Sequence, residues 1–208
     1  MKLISINIGK PQPIDSKSGK TGIFKQPVAQ PVDVHTLGLD GDVICDTEHH
    51  GGVDQAVYIF TASDYNWWSQ ELEDTLLPGT FGENLLIEGF DSANSLVGDQ
   101  FHLGEVVLEV TSPRIPCATI AARMDDKLFP KKFMAAERPG VYCRVLQTGT
   151  IETGMEVVRC GYEGERVPII EQFRSFFGDK PDLETARRYL SAPIHYKMRE
   201  ELEARFGL

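Results

Sequence analysis

A chain of 208 residues can form one domain, or one domain with a small appendage, and can bury a sizeable core. Hydrophobic residues at 41% and charged residues at 25% are ordinary globular values and argue against disorder. A formal charge of −10 argues against an extended nucleic-acid surface, which needs clustered Lys and Arg, and leaves room for a local basic pocket.

Ile4, Ile6 and Ile8 alternate with Ser5 and Asn7 and predict a first strand, which Gly9, Pro11 and Pro13 end. The polar segment from Ile14 to Gly22 reads as an excursion. Extended structure resumes from Ile23 to Val34, where Pro27 and Pro31 point to an edge strand. Gly38, Gly41, Gly51 and Gly52 then shape a loop, and Ala56 to Phe60 supplies another strand. Thr61 with Asp64 caps a helix whose Tyr65, Trp68 and Leu72 share a face, ending before Pro78. Short strands follow at Asn84 to Ile87, Gln100 to Leu103, Glu105 to Thr111, Val141 to Leu146 and Met155 to Cys160. Gly104 and Thr148-Gly149-Thr150 suggest hairpins. Many short strands at this spacing predict a barrel-like core rather than a parallel sheet with regular crossover helices.

After Tyr162 the period becomes helical. Ile170, Phe173 and Phe177, then Leu183, Ala186 and Leu190, then Ile194, Met198 and Leu202 mark three short helices. Gly178, Pro181 and Pro193 sit at the joints, and Asp182 caps the second helix. The expected class is therefore mainly β with an α appendage: a β domain over 1–161 and a three-helix domain over 162–208. Residues Met1 to Ile8 lack the pattern of a signal peptide and no apolar run approaches a membrane span, so a cytoplasmic protein is expected. Cys45, Cys117, Cys143 and Cys160 are scattered without a CxxC pair, so they are expected to be free thiols, with no structural zinc site. Nothing in the sequence specifies an oligomer.

Three segments carry residues suited to chemistry. In Thr111-Ser112-Pro113-Arg114-Ile115-Pro116-Cys117, two prolines stiffen the chain as it leaves a strand whose Val106, Leu108 and Val110 share one face. An arginine three positions from Cys117 would stabilise its thiolate, which attacks electrophiles and binds soft metals; a buried structural cysteine is the plainer alternative. The loop Asp46 to Asp54 contains His49, His50, Gly51 and Gly52. It could ligate a metal, expose backbone N–H groups to an anion with His50 as a donor and Asp54 fixing the ring, or simply form a tight turn. Asn84, after Pro78-Gly79-Thr80-Phe81-Gly82-Glu83, could bind a ligand or satisfy backbone groups in the turn. No P-loop, dinucleotide fingerprint or G-x-S-x-G elbow occurs. A Cys117–His50 nucleophilic pair stays open.

Taken together, Gly38-Leu39-Asp40-Gly41-Asp42, His50-Gly51-Gly52 with Asp54, Pro78 to Leu85, Gly98-Asp99 and Pro113-Arg114-Ile115-Pro116-Cys117 resemble the MOSC family, related to the C-terminal domain of molybdenum-cofactor sulfurase. Thr21 to Val28 and the helical tail are similar to its hydroxylaminopurine-resistance (YiiM) branch. The resemblance implies a β-barrel that binds the molybdenum cofactor (molybdopterin), with Cys117 as the metal ligand. It implies a cofactor pocket drawn from Lys25, His50, Gly51, Gly52, Asn84, Ser112, Arg114 and Arg138, with His50 and Asp54 beside Cys117 in the reaction. The activity implied is reduction of N-hydroxylated compounds, such as N-hydroxylated purine bases, to amines. A separate electron-donating reductase is then the implied partner, since no flavin or iron–sulfur motif is present. A non-catalytic cofactor or sulfur carrier, and a metal-independent Cys-His enzyme, are the alternatives. Gln55, Ala118-Thr119 and His49 depart from the branch's pattern, where Lys or Arg is common at the first and a larger residue with Lys follows the cysteine.

Overall fold

Strand β1 (Lys2–Ile8) buries Leu3 and Ile6 completely and leaves Ile4 exposed in the computed structural model, which describes residues 1–15, 19–48, 50–178 and 180–208. Simple alternation put Ile4 and Ile6 on one face. The register shifts between Leu3 and Ser5 where β1 meets its neighbour, and one irregular step exchanges the faces. Beyond β1 the chain forms β2 (Gln12–Pro13), β3 (Lys20–Thr21), β4 (Gln26–Val28), β5 (Val32–His35) and β6 (Gly38–Leu39). A 3-10 turn (Val53–Gln55) then leads into β7 (Val57–Thr61), α1 (Ala62–Glu71), β8 (Leu85–Glu88), β9 (Gln100–Leu103) and β10 (Val106–Pro113). Next come α2 (Ala118–Arg123), α3 (Phe129–Ala136), β11 (Val141–Gln147), β12 (Gly149–Ile151) and β13 (Val158–Cys160), then α4 (Ile169–Ser175), α5 (Leu183–Leu190) and α6 (Tyr196–Phe206).

Eight strands make one sheet in the order β13-β9-β10-β11-β7-β8-β1-β4. Its ladders are antiparallel except β7 with β8, which run parallel because α1 crosses between them. β4, with Pro27 at its centre, is an edge strand, where a missing N–H costs no ladder bond. Among the described residues the expected barrel is not present as a closed ladder: no pairing joins the outer strands β13 and β4. Residues 154–157, just before β13, instead return to the start of β1, with the Leu3 N–H donating to the Met155 carbonyl at 3.0 Å and the Gly154 N–H to that of Leu3 at 2.8 Å. The fold is sheet-dominated and mixed, with helices at its C-terminal end. The hairpin expected at Thr148-Gly149-Thr150 is also not formed, because β12 pairs with β5.

The two-residue period of β7 serves two cores. Val57 and Ile59 enter a large aliphatic cluster, while Tyr58 and Phe60 enter an aromatic one. The aromatic cluster holds Trp68 of α1 against Phe81, Phe129 and Phe133, with ring centroids 5.1 to 5.9 Å apart. α1 begins as expected, with Thr61 Oγ1 accepting the Asp64 N–H at 3.0 Å. α2 and α3 were not expected; α3 has proline in its first turn and buries Phe129 and Phe133, four residues apart.

The three expected C-terminal helices are present, and Asp182 caps α5 by accepting the Thr185 N–H at 2.8 Å. Ala186, Tyr189, Ile194 and Leu202 join the aliphatic cluster of the sheet, and Phe173 joins the aromatic one. Among the described residues no helix is long and apolar enough to cross a membrane.

Candidate functional site

Three backbone segments lie so close that side chains are excluded between them. A Cβ on Gly9 would sit 1.9 Å from the Gly22 carbonyl oxygen, and one on Gly22 would sit 1.8 Å from that of Val43. This layering carries the loop after β6 across the end of β1. It delivers the Asp42 carboxylate to the cleft wall, where its oxygens accept the Gly9 N–H at 2.7 Å, Lys25 Nζ at 2.5 Å and Asn84 Nδ2 at 2.9 Å. Burial pulls the Lys25 amine below its ordinary pKa, and the Asp42 carboxylate opposes that shift.

Opposite this wall, β10 ends at Pro113 and the stiff arm follows. Arg114 is buried; its Nη1 donates to the Phe81 carbonyl at 2.8 Å and its guanidinium lies 5.0 Å from the centre of the Tyr58 ring. Cys117 is half-buried in extended backbone, immediately before α2. Burial alone would raise its thiol pKa. A side-chain hydrogen bond with His50, the Arg114 charge and the Ile120 N–H together outweigh burial and lower it to about 6. Cys143, by contrast, is fully buried and pushed well above its usual value. The group at 117 is therefore an ionised thiolate at neutral pH beside a fixed cation.

Lys25, His50, Gly51, Asn84, Arg114 and Cys117 line one cleft. Gly52, Asp54, Ser112 and Arg138 do not. Arg138 pairs with Asp64 at 2.8 Å and lies over the Trp67 ring, and Asp54 turns the other way, accepting the Tyr196 N–H at 2.7 Å and standing 3.0 Å from Arg144 Nε. Ser112 faces an adjoining chamber. His49 lies outside the described residues. The Asn84 amide is engaged structurally, its Oδ1 accepting the Tyr58 N–H at 3.1 Å while Nδ2 serves Asp42, so it braces the wall.

Sequence reasoning assigned no role to Asp42, Tyr58, Tyr142 or Glu83. The run Gly38 to Asp42 carried the signal for Asp42, as a carboxylate closing a glycine-shaped turn. Glu83 lies wholly buried beneath the cleft, where its Oε1 accepts the Gly79 N–H at 2.5 Å and the Tyr65 hydroxyl at 2.6 Å. Burial raises its pKa to about 7 against those hydrogen bonds.

Among the described residues no three or more His, Cys, Asp or Glu side chains converge into a metal cage. The Cys117 sulfur stands beside the buried Arg114 and Lys25 side chains, and a second free cysteine, Cys45, also lines the cleft. A metal that arrives inside an anionic organic ligand, and needs one more sulfur donor, fits that set better than a bare ion does.

A model of the MOSC domain matches residues 46–158. The chain is 34% identical to YflK of Bacillus subtilis over 193 residues, which cover 91% of this chain and 86% of that protein. It is 34% identical over 142 residues to a protein of Gibberella moniliformis described as a reductase, and spans 24% of that longer chain. The crystal structure of YiiM from Geobacillus stearothermophilus superimposes with a TM-score of 0.81 at 26% identity, covering 98% of both chains. With the family model spanning more than half the chain, and a relative aligned over most of its length, this protein is a YiiM-like member of the MOSC domain family.

Proposed function

We propose that the protein is a molybdenum-cofactor-dependent reductase that converts N-hydroxylated compounds to amines. The observation that carries this reading is the Cys117 thiolate, sharing one cleft with the Arg114 and Lys25 cations. Cys117 would ligate the metal. Arg114, Lys25 and the backbone around Gly51 would hold the anionic part of the cofactor. When bound, the cofactor supplies oxygen-atom removal and the redox change that accompanies it. The chain's own contribution is positional. Phe81 and Tyr58 fix the Arg114 guanidinium, Asp42 sets the direction of the Lys25 amine, and His50 holds the Cys117 sulfur through a hydrogen bond. Electrons would come from a separate reductase, and the protein would work in the cytoplasm.

Metal and pterin analysis of protein from a cofactor-producing host, followed by turnover of an N-hydroxylated substrate with a reducing partner, tests this. Cys117→Ala is expected to abolish metal-linked activity; full turnover by that variant with molybdenum bound normally would refute the ligand role. The Cys117–His50 hydrogen bond also favours a second reading, a metal-independent nucleophilic cysteine. That reading requires a covalent adduct on Cys117 and turnover indifferent to molybdenum.

A further inference from the structure

Two of the four cysteines open into one cleft. Cys45 and Cys117 both line it and are half-buried, whereas Cys143 is sealed in the aliphatic cluster and Cys160 lies on the outer strand β13. The proposed activity uses the Cys117 sulfur and gives Cys45 no task.

The fold of its own loop brings Cys45 there. The His50 N–H donates to the Asp46 carbonyl at 3.1 Å, and a Cβ on Gly51 would stand 2.8 Å from Ile44 Cδ1, so the segment closes on itself. Cys45 is therefore one residue from the carbonyl that holds His50, and the His50 side chain is hydrogen-bonded to the Cys117 sulfur.

A disulfide asks for Cα atoms within about 7 Å of each other, so one of the two segments must be able to yield. The Cys45 segment is the one that can. Its start is pinned, the Val43 N–H donating to the Gly9 carbonyl at 3.1 Å, but among the described residues no helix or strand lies between Leu39 and Val53. Gly51 and Gly52, with φ of 77° and 80°, end the loop in residues that turn freely. Cys117 is held instead, at the N-cap of α2 and behind Pro113 and Pro116. A movable thiol beside a held one is the arrangement of a resolving cysteine and its partner.

We propose that Cys45 is the resolving cysteine of Cys117, and that a hydroperoxide converts the pair to a reversible disulfide that withholds the Cys117 sulfur from the metal and shields it from irreversible oxidation. In the first step the Cys117 sulfur attacks one peroxide oxygen. An S–O bond forms as the O–O bond breaks, and the departing oxygen takes the proton that Cys117 gave up and leaves as water or an alcohol. The Cys45 sulfur then loses its proton and attacks the Cys117 sulfur; the S–S bond forms, the S–O bond breaks, and the hydroxide takes that proton and leaves as water. Two thiols are oxidised to one disulfide and one hydroperoxide is reduced. A dithiol reductant reverses the bond, as expected of a transient disulfide in a reducing compartment. The inference goes beyond the proposed activity, because it concerns the metal-free protein and holds whatever occupies the cleft.

Oxidation of the reduced, metal-free, full-length protein with hydrogen peroxide, followed by quenching with N-ethylmaleimide, tests it. In wild type the free thiols counted after denaturation should fall by two from four, peptide mapping should join Cys45 to Cys117 within one chain, and dithiothreitol should restore all four. Cys45→Ser and Cys45→Ala, each shown by thermal melting to be folded, should keep the initial alkylation rate of Cys117. Neither should form that cross-link, and in both Cys117 should pass on to a sulfinic acid that dithiothreitol does not reverse. Absence of the Cys45–Cys117 cross-link in wild type, a cross-link through Cys143 or Cys160 or between chains in its place, or equal recovery of Cys117 in wild type and both variants would each overturn the proposal. No molybdenum enters this experiment, so its outcome is separate from the Cys117→Ala turnover result. The cross-link sustains the resolving role even if molybdenum proves irrelevant, and its absence sinks that role even if molybdenum proves essential.

Discussion

Lys25 Nζ and the Asp42 carboxylate meet at 2.5 Å within the cleft wall, and both side chains are less than a tenth exposed. Removing one charge leaves the other buried without its counter-ion, and breaking a buried pair costs about 3–5 kcal/mol. Lys25→Met should therefore lower the unfolding free energy by roughly 3 kcal/mol in urea titrations. The double variant with Asp42→Asn, which keeps an acceptor for Gly9 and removes the orphaned charge, should recover part of that loss. Equal stability of the single and double variants would show that the pair is not coupled.

The Cys117 thiol should titrate near 6 in the metal-free protein. Its alkylation rate with iodoacetamide should rise as pH climbs through that value and level off above it, because only the thiolate reacts. Subtracting the same measurement on Cys117→Ala isolates this thiol from the other cysteines. His50→Ala and Arg114→Met should each move the inflection upward. An inflection unmoved in both would show that neither side chain supports the thiolate.

Glu83 has the opposite sign of linkage. Burial raises its folded-state pKa to about 7 from an ordinary 4.5, so the fold favours its neutral form. Its stabilising contribution is full below the unfolded value and is lost as pH rises through the folded one. The difference is of order 3 kcal/mol at about 1.4 kcal/mol per unit. Thermal melts of wild type should fall between pH 5 and pH 8.5 more steeply than those of Glu83→Gln, which keeps an acceptor for Gly79 and Tyr65. Parallel curves would contradict this.

Gly22 tolerates no side chain, because a Cβ there would overlap the Val43 carbonyl at 1.8 Å. Gly22→Ala should cost about 1–3 kcal/mol through overpacking against rigid backbone. It should also displace the loop that carries Asp42, so the Cys117 alkylation profile should change with it. A variant with wild-type stability and profile would mean that the layered segments part freely.

Long periodic elements were legible. The alternating face of β10, the capped start of α1 and the three helical stripes after Tyr162 are local patterns, and the chain follows them. What failed was non-local or very short. The phase of β1 depends on one irregular pairing step with β8, and the partner of β12 is a strand more than a hundred residues away. α2 is six residues long, too short for a period to declare itself, and the signal of α3 lay in Phe129 and Phe133. The thiolate cleft was partly readable, since Lys25, His50, Asn84, Arg114 and Cys117 do meet there. Arg138 and Asp54 were not, because a charge on a linear sequence does not reveal which opposite charge will claim it.

Asp54 also ties the turn after His50 to the last helix. Its carboxylate accepts the first backbone N–H of α6, while the turn that carries it follows directly on the glycines beside His50. A force that tugs the last helix away would be felt at the imidazole that steadies the sulfur. Tags, truncations or docking proteins placed at the C-terminus are thus expected to retune reactivity at a distance.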